Sequence, residues 1–219
     1  MIRLLFEKTG NAVWISHLDL MRLFQRSFQR AGLPLTHTHG FNPRPSVSIA
    51  LPMSVGVEST CELLDFALDG EPVPCTEIRD RLNAALVPGV RILDVYEDGS
   101  KLKNLAWLDC CLTLEYDSGV PEDASEKLGA LFSRPSLTVE KKGKSGVSEQ
   151  DIIPLLSRLE LGQEDQNTLT VRARVHCQNP ALNPMQLLSA VERYLPELAP
   201  DFCRCRRVEL YDENGNVFR

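Results

Sequence analysis

No run of apolar residues in the 219-residue chain approaches the roughly 20 that a bilayer-spanning helix needs. The opening MIRLLFEKTG lacks the basic region, long apolar stretch and small-residue cleavage site of a signal peptide, which implies a cytoplasmic protein with no membrane partner. The seven cysteines, at 61, 75, 110, 111, 177, 203 and 205, form no CxxC pair and are not spaced with the histidines as a zinc site requires. Their odd number fits reduced thiols better than a disulfide framework. A P-loop, a Rossmann fingerprint, HExxH, a nucleophile elbow, paired carboxylates and the CxxxCxxC of an iron–sulfur cluster are all missing. These absences point to a chain without resident cofactor or metal.

What is present is an ordinary globular composition, 43% hydrophobic, with enough length for two small domains. The net charge of −6 weighs against broad adhesion to nucleic acid, yet its distribution is polar. Residues 1–50 hold six basic side chains (Arg3, Lys8, Arg22, Arg26, Arg30, Arg44) against two acidic ones (Glu7, Asp19), a balance of +4 that leaves −10 for the other 169 residues. His17, His37 and His39 lie in the same basic segment. Such polarity suggests a face built to meet an anion, the alternative being a solvated basic helix face.

Along the chain, residues 2–7 and AVWI at 12–15 read as short strands. SHLDLMRLFQRSFQRAG then places Leu20, Phe24, Phe28 and Ala31 at three- and four-residue spacing and predicts an amphipathic helix over 17–31. Ser16 is its N-cap, Asp19 completes a capping box, and Gly32 with Pro34 ends it. SVSIALP and ELLDFAL follow as strands, CTEIRDRLNAAL as a helix and VRILDVYE as a strand, before a break at 98–104. The second half repeats the order: WLDCCLTLEY strand, EDASEKLGALF helix, SLTVEKK and LTVRARVH strands, PMQLLSAVERYL helix and a closing CRCRRVELYDENG strand. IIPLLSRLEL is an added strand in this scheme. Two βαββαβ units imply an α+β protein of two tandem ferredoxin-like sandwiches with antiparallel sheets, over residues 1–100 and 105–219.

Ser16, His17 and Asp19 crowd one helical turn and cannot converge as a catalytic triad, which draws its side chains from separate elements. Capping accounts for Ser16 and Asp19. His17, the first helical residue, either meets an anion at the helix mouth or is an ordinary packed or exposed histidine. Arg22, Arg26 and Arg30 share a face at four-residue intervals, as phosphate clamps and plain surface helices both do.

The stretch THTHGFNPRP at 36–45 has the marks of a shaped binding loop. Gly40 permits backbone conformations closed to other residues, Pro43 and Pro45 stiffen the chain on both sides of Arg44, and Asn42 favours a turn or extended entry. Phe41 either plugs the core beneath the loop or offers a stacking face. His39, Gly40, Phe41, Asn42, Pro43 and Arg44, with His17, Arg22, Arg26 and Arg30, form the expected substrate-binding set. Lys141, Lys142 and Lys144 read as a mobile loop tip, and Arg204, Arg206 and Arg207 as the charged face of an edge strand.

FEKTGNAVWISHLDLMRLFQRSFQRAGLPL, then GFNPRPSVSIALPMSVGVES and the ELLD strand, resemble the radical-SAM-linked proteins of unknown function. Members of that family are encoded beside, or fused behind, a radical SAM protein that also carries a cobalamin-binding-type domain. The likeness is close over about residues 1–70 and weaker through IIPLLSRLEL, NPMQLLSA and RRVELY. The family often has histidine where this chain has Arg44, which argues against a required imidazole there. The resemblance implies a non-catalytic companion that presents an anionic substrate, RNA among the candidates, to a radical SAM partner. The basic face on tandem sandwiches is also similar to RNA-processing proteins of the repeat-associated type, an analogy of fold only. An RNA-processing or RNA-modifying enzyme using His17 or His39, and a purely structural docking module, are the competing readings.

Overall fold

The computed structural model describes residues 1–39, 41–143 and 146–219. Gly40 and Lys144, singled out above, lie outside the described residues. The chain forms two compact units, Met1–Leu102 together with Arg219, and Lys103–Phe218.

In the first unit β1 (Ile2–Lys8), α1 (His17–Arg30), β2 (Val47–Ile49), β3 (Val57–Phe66), α2 (Cys75–Ala85) and β4 (Val90–Glu97) follow in that order. Every strand pairing in it is antiparallel: β1 lies between β4 and β3, and β2 pairs with the far side of β3, giving β4-β1-β3-β2. Period-two alternation on β1 turns Leu4 and Phe6 to the helix-covered face, where they meet Leu64 and Phe66 of β3 and Ile92 of β4. Leu20, Phe24 and Phe28 of α1 and Ile78 and Leu82 of α2 complete this core. Phe6 and Phe24 meet edge to face at 4.8 Å, and Phe28 and Phe66 tilt together at 4.8 Å. Full burial of each such ring contributes about 1.5–3 kcal/mol.

Residues 12–15 are not a strand. Gly10–Trp14 forms a 3-10 turn, opened by a positive φ of 54° at Gly10. The cause lies outside the segment: Lys8, completely buried, extends Nζ to within 3.0 Å of the Ile15 carbonyl and so supplies the donor that a neighbouring strand would have given. SVSIALP likewise shrinks to the three residues of β2.

α1 forms where the periodicity placed it, with Ala31 as its C-cap. Ser16 Oγ accepts the Asp19 N–H at 3.2 Å and donates to the Asp19 carboxylate at 2.7 Å. At the other end Gly32, at φ +64°, allows its N–H to reach Gln29 O and that of Leu33 to reach Phe28 O, which closes the helix in a Schellman motif.

The second unit runs β5 (Leu105–Glu115), α3 (Ala124–Phe132), β6 (Thr138–Gly143), β7 (Gly146–Asp151), β8 (Leu156–Gln163), β9 (Thr168–His176), α4 (Met185–Tyr194) and β10 (Phe202–Asp212). Its sheet is antiparallel with the order β10-β5-β9-β8. The stretch SLTVEKK does not join that sheet. It supplies β6, which pairs with β7 in a separate two-stranded hairpin, while the IIPLLSRLEL segment supplies the sheet strand β8. α4 anchors the hairpin, through Tyr194 Oη to Thr138 O at 2.9 Å and Arg193 to the Glu149 carboxylate at 3.1 Å. On β10, Arg204 and Arg206 are exposed but Arg207 is buried, because period-two alternation puts Arg207 on the same face as the buried Cys205. Among the described residues no helix is long and apolar enough to cross a membrane.

Candidate nucleic-acid interface

The loop after α1 is a finger with a paired stem. Thr36 N–H donates to Ala67 O (2.9 Å), Ser46 N–H to Thr36 O (2.8 Å) and Thr38 N–H to Arg44 O (2.8 Å), with a bridge between His37 and Pro45. Thr38 closes the stem twice, since its Oγ1 also accepts the Arg44 N–H at 3.0 Å. His39, Phe41, Asn42, Pro43 and Arg44 thereby stand at an exposed tip. Phe41 is fully exposed and plugs nothing. Proline stiffening and the Thr38 latch fix the backbone from which Arg44 projects, so less conformational freedom is lost when a ligand is held.

The three α1 arginines have different employment. Arg22 pairs with Asp19 at 2.9 Å in an exposed contact, worth little by itself. Arg26 is exposed, with no hydrogen bond or ion pair among the described residues. Arg30 is committed to the fold: its Nη2 donates to Ser27 Oγ at 2.9 Å and to Ala85 O, at the end of α2, at 2.6 Å. The ladder is therefore not a uniform clamp, and its free cation is Arg26.

Acid–base chemistry finds little support in this geometry. Among the described residues His17 Nδ1, shielded from solvent, has no hydrogen-bond partner to orient the ring, and His39 stands exposed at the finger tip. None of the seven cysteines is in a disulfide. Burial pushes the Cys205 thiol up to about 11 and the Cys203 thiol up to about 12, and Cys110 is raised further by the same cause, the reverse of an activated nucleophile. Among the described residues no cluster of three or more His, Cys, Asp or Glu could hold a metal ion.

Two features had no counterpart in the sequence reading. A cavity of about 370 Å³ opens beside Met1, Arg3, Asp65, Gly99, Ser100 and Lys101. Its buried guanidinium, on Arg3, is already spent on both Asp65 oxygens (2.6 and 2.9 Å) and on Ser100 O (2.7 Å). The second is Trp14, 65% exposed immediately before α1. A signal for it existed: Ile15 occupies the position before the N-cap and turns to the core that holds Leu20, as a hydrophobic staple does, which directs the preceding residue elsewhere.

The family described as "Uncharacterized protein conserved in bacteria (DUF2344)" matches residues 1–184. The chain belongs to that family. No curated protein matches this DUF2344 chain. Among solved structures it is similar to a chain of "Crystal Structure of a Cbf5-Nop10-Gar1 Complex", with a TM-score of 0.51 and 9% identity over 97% of this chain and 50% of that one. Weaker likenesses, at TM-scores of 0.44 and 0.45 and 10% identity, are to "Crystal structure of the archaeal box H/ACA sRNP Nop10-Cbf5 complex" and "Structure of H/ACA RNP bound to a substrate RNA containing 2'-deoxyuridine". Each covers 94% of this chain and 46% of the other. The DUF2344 chain thus spans about half the length of the solved chains it matches, and the likeness is one of fold.

Proposed function

We propose that the chain is a cytoplasmic, non-catalytic RNA-binding adaptor whose first unit presents its ligand to a radical SAM partner. The observation that carries the binding reading is the latched finger. Thr38 pins the backbone of Arg44 from both sides, and the tip beyond it offers an aromatic ring, an amide and a guanidinium to solvent. A connector gains nothing from such preorganisation. An anionic, base-bearing ligand uses all three groups at once. Arg26 and Arg22 on α1 extend the basic surface, while Arg30 supports it from within the fold.

The resemblance of the SHLDLMR and GFNPRP segments to radical-SAM-linked proteins supplies the partner. The odd number of cysteines fits a reducing compartment. Each unit's strand order, β4-β1-β3-β2 and β10-β5-β9-β8, supports reading the two as tandem ferredoxin-like sandwiches.

Titration of purified protein with single-stranded RNA at several salt concentrations tests the reading. Affinity should fall steeply with salt, and Arg44→Ala should weaken it without a change in thermal stability. Salt-independent or absent binding overturns it. Docking of the radical SAM protein on the same finger is the second reading, favoured by the full exposure of Phe41. It predicts copurification with that protein, lost in Phe41→Ala, with no RNA bound.

A further inference from the structure

We propose that Trp14 is a stacking platform for an unpaired nucleobase, so that the RNA taken by the first unit is single-stranded; this rests on the RNA-binding reading above. The indole is held in place. Gly56 N–H donates to Val13 O at 2.8 Å, and a Cβ built on Gly56 would stand 3.6 Å from Trp14 Cζ3, so the bare backbone of the 54–57 turn lies against the ring. Gly56 is at φ +83°, a conformation that keeps the position free of a side chain. Lys8 fixes the Gly10–Trp14 turn from beneath through the Ile15 carbonyl. The ring is supported on one side and remains 65% exposed, which is the arrangement a base needs for stacking.

The surroundings favour a nucleotide over a protein. The exposed large apolar side chains of residues 9–20 and 52–57 are Trp14, Leu18 and Val55, few beside the roughly 20–30 residues that each partner brings to a stable protein interface. One ring suffices for one base. A cation accompanies it: Arg26, exposed and with no ion pair among the described residues, lies on the helix that starts three residues after Trp14. The one acidic neighbour on that turn, Asp19, is neutralised by Arg22 and held by Ser16. Bases within a duplex are already stacked and paired and cannot offer a face to Trp14, whereas unpaired bases can.

The experiment uses the full chain, an oligoadenylate of about 12 nucleotides, an abasic strand of the same length and an RNA duplex. In a Trp107→Phe background Trp14 is the sole tryptophan, because the chain has two. Its fluorescence should be quenched by oligoadenylate and not by the abasic strand. Trp14→Ala should weaken oligoadenylate binding by about tenfold, Trp14→Phe should restore most of it, and the abasic strand should bind all three forms alike. The duplex should bind more weakly than oligoadenylate to the native chain. If Trp14→Ala binds oligoadenylate within about twofold of the native chain while Arg44→Ala does not, the stacking inference is overturned and the RNA-binding reading stands. If neither strand nor duplex binds the native chain, the RNA-binding reading falls and the inference with it.

Discussion

Arg30 and Arg81 each close the carboxyl end of the other's helix. From α1, Arg30 donates to Ala85 O at the end of α2 (2.6 Å); from α2, Arg81 donates through Nε and Nη2 to Ala31 O (2.9 and 2.6 Å) and through Nη2 to Gly32 O (2.9 Å). The last carbonyls of a helix lack intrahelical donors and carry the negative end of its dipole, so a guanidinium satisfies them in both respects. Arg81→Ala removes three such bonds together with the Glu77 contact at 3.0 Å and should cost about 1–3 kcal/mol, read as a lower denaturation midpoint. Arg30→Ala should destabilise by about 1–2 kcal/mol and leave RNA affinity near the native value once folded. An affinity loss as large as that of Arg26→Ala would instead make Arg30 a ligand contact.

Acid should loosen the start of α1 before the rest of the first unit. The Ser16 hydroxyl, and after it the Arg22 guanidinium, hold the Asp19 carboxyl below its ordinary value. A carboxylate with a depressed folded-state pKa binds fewer protons folded than unfolded over that range. Its contribution is therefore complete above the usual aspartate value of about 4 and is lost as pH falls through the lower folded value. Stability measured from pH 6 down to about 3 should fall less steeply in Asp19→Asn than in the native chain. Equal slopes would show that the capping box contributes nothing to the pH dependence.

The Thr38 latch allows the binding reading to be tested without touching a charge. Thr38→Val keeps the shape of the side chain and the backbone bond to Arg44 O but removes the Oγ1 acceptor of the Arg44 N–H. One lost hydrogen bond of about 0.5–1.5 kcal/mol on an exposed loop should leave thermal stability nearly unchanged, and should weaken RNA binding a few-fold as the tip becomes less ordered. Thr38→Ser should behave as the native chain. A Thr38→Val protein with native affinity would mean that the latch does not organise the binding tip.

How far the fold and the site could be read from the residues depended on where each decision was made. α1 was legible in full, since its apolar period, the Ser16 and Asp19 cap and the Gly32 stop are all local and all agree. The Gly10–Trp14 turn was not: AVWI is too short for periodicity to separate strand from helical turn, and Lys8, outside the segment, decides the matter. The β6–β7 hairpin was hidden because the partner of SLTVEKK is the polar run GVSEQD, which carries little hydrophobic pattern. In the candidate site, the stiffening of the finger was visible in its prolines. The exposure of Phe41, and the commitment of Arg30 to Ala85, depend on contacts across the fold.

Lys8 connects the core of the first unit to the surface that Trp14 offers. Its side chain is wholly buried on β1, and Nζ reaches the Ile15 carbonyl at 3.0 Å, at the point where the 3-10 turn passes into the α1 cap. Lys8→Met preserves most of the volume and removes both the donor and the cost of burying an ammonium, so global stability should change by no more than about 1–2 kcal/mol in either direction. The local effect has one sign. Ile15 N–H donates to Ala12 O at 3.0 Å, and this bond should open more often once the adjacent carbonyl loses its donor, which predicts faster hydrogen exchange at Ile15 than in the native chain. Oligoadenylate affinity should fall with it, because a looser turn holds the Trp14 ring less firmly. Native exchange at Ile15 in a folded Lys8→Met protein would show that the turn is held by the Ala12 contact and the Gly56 packing alone.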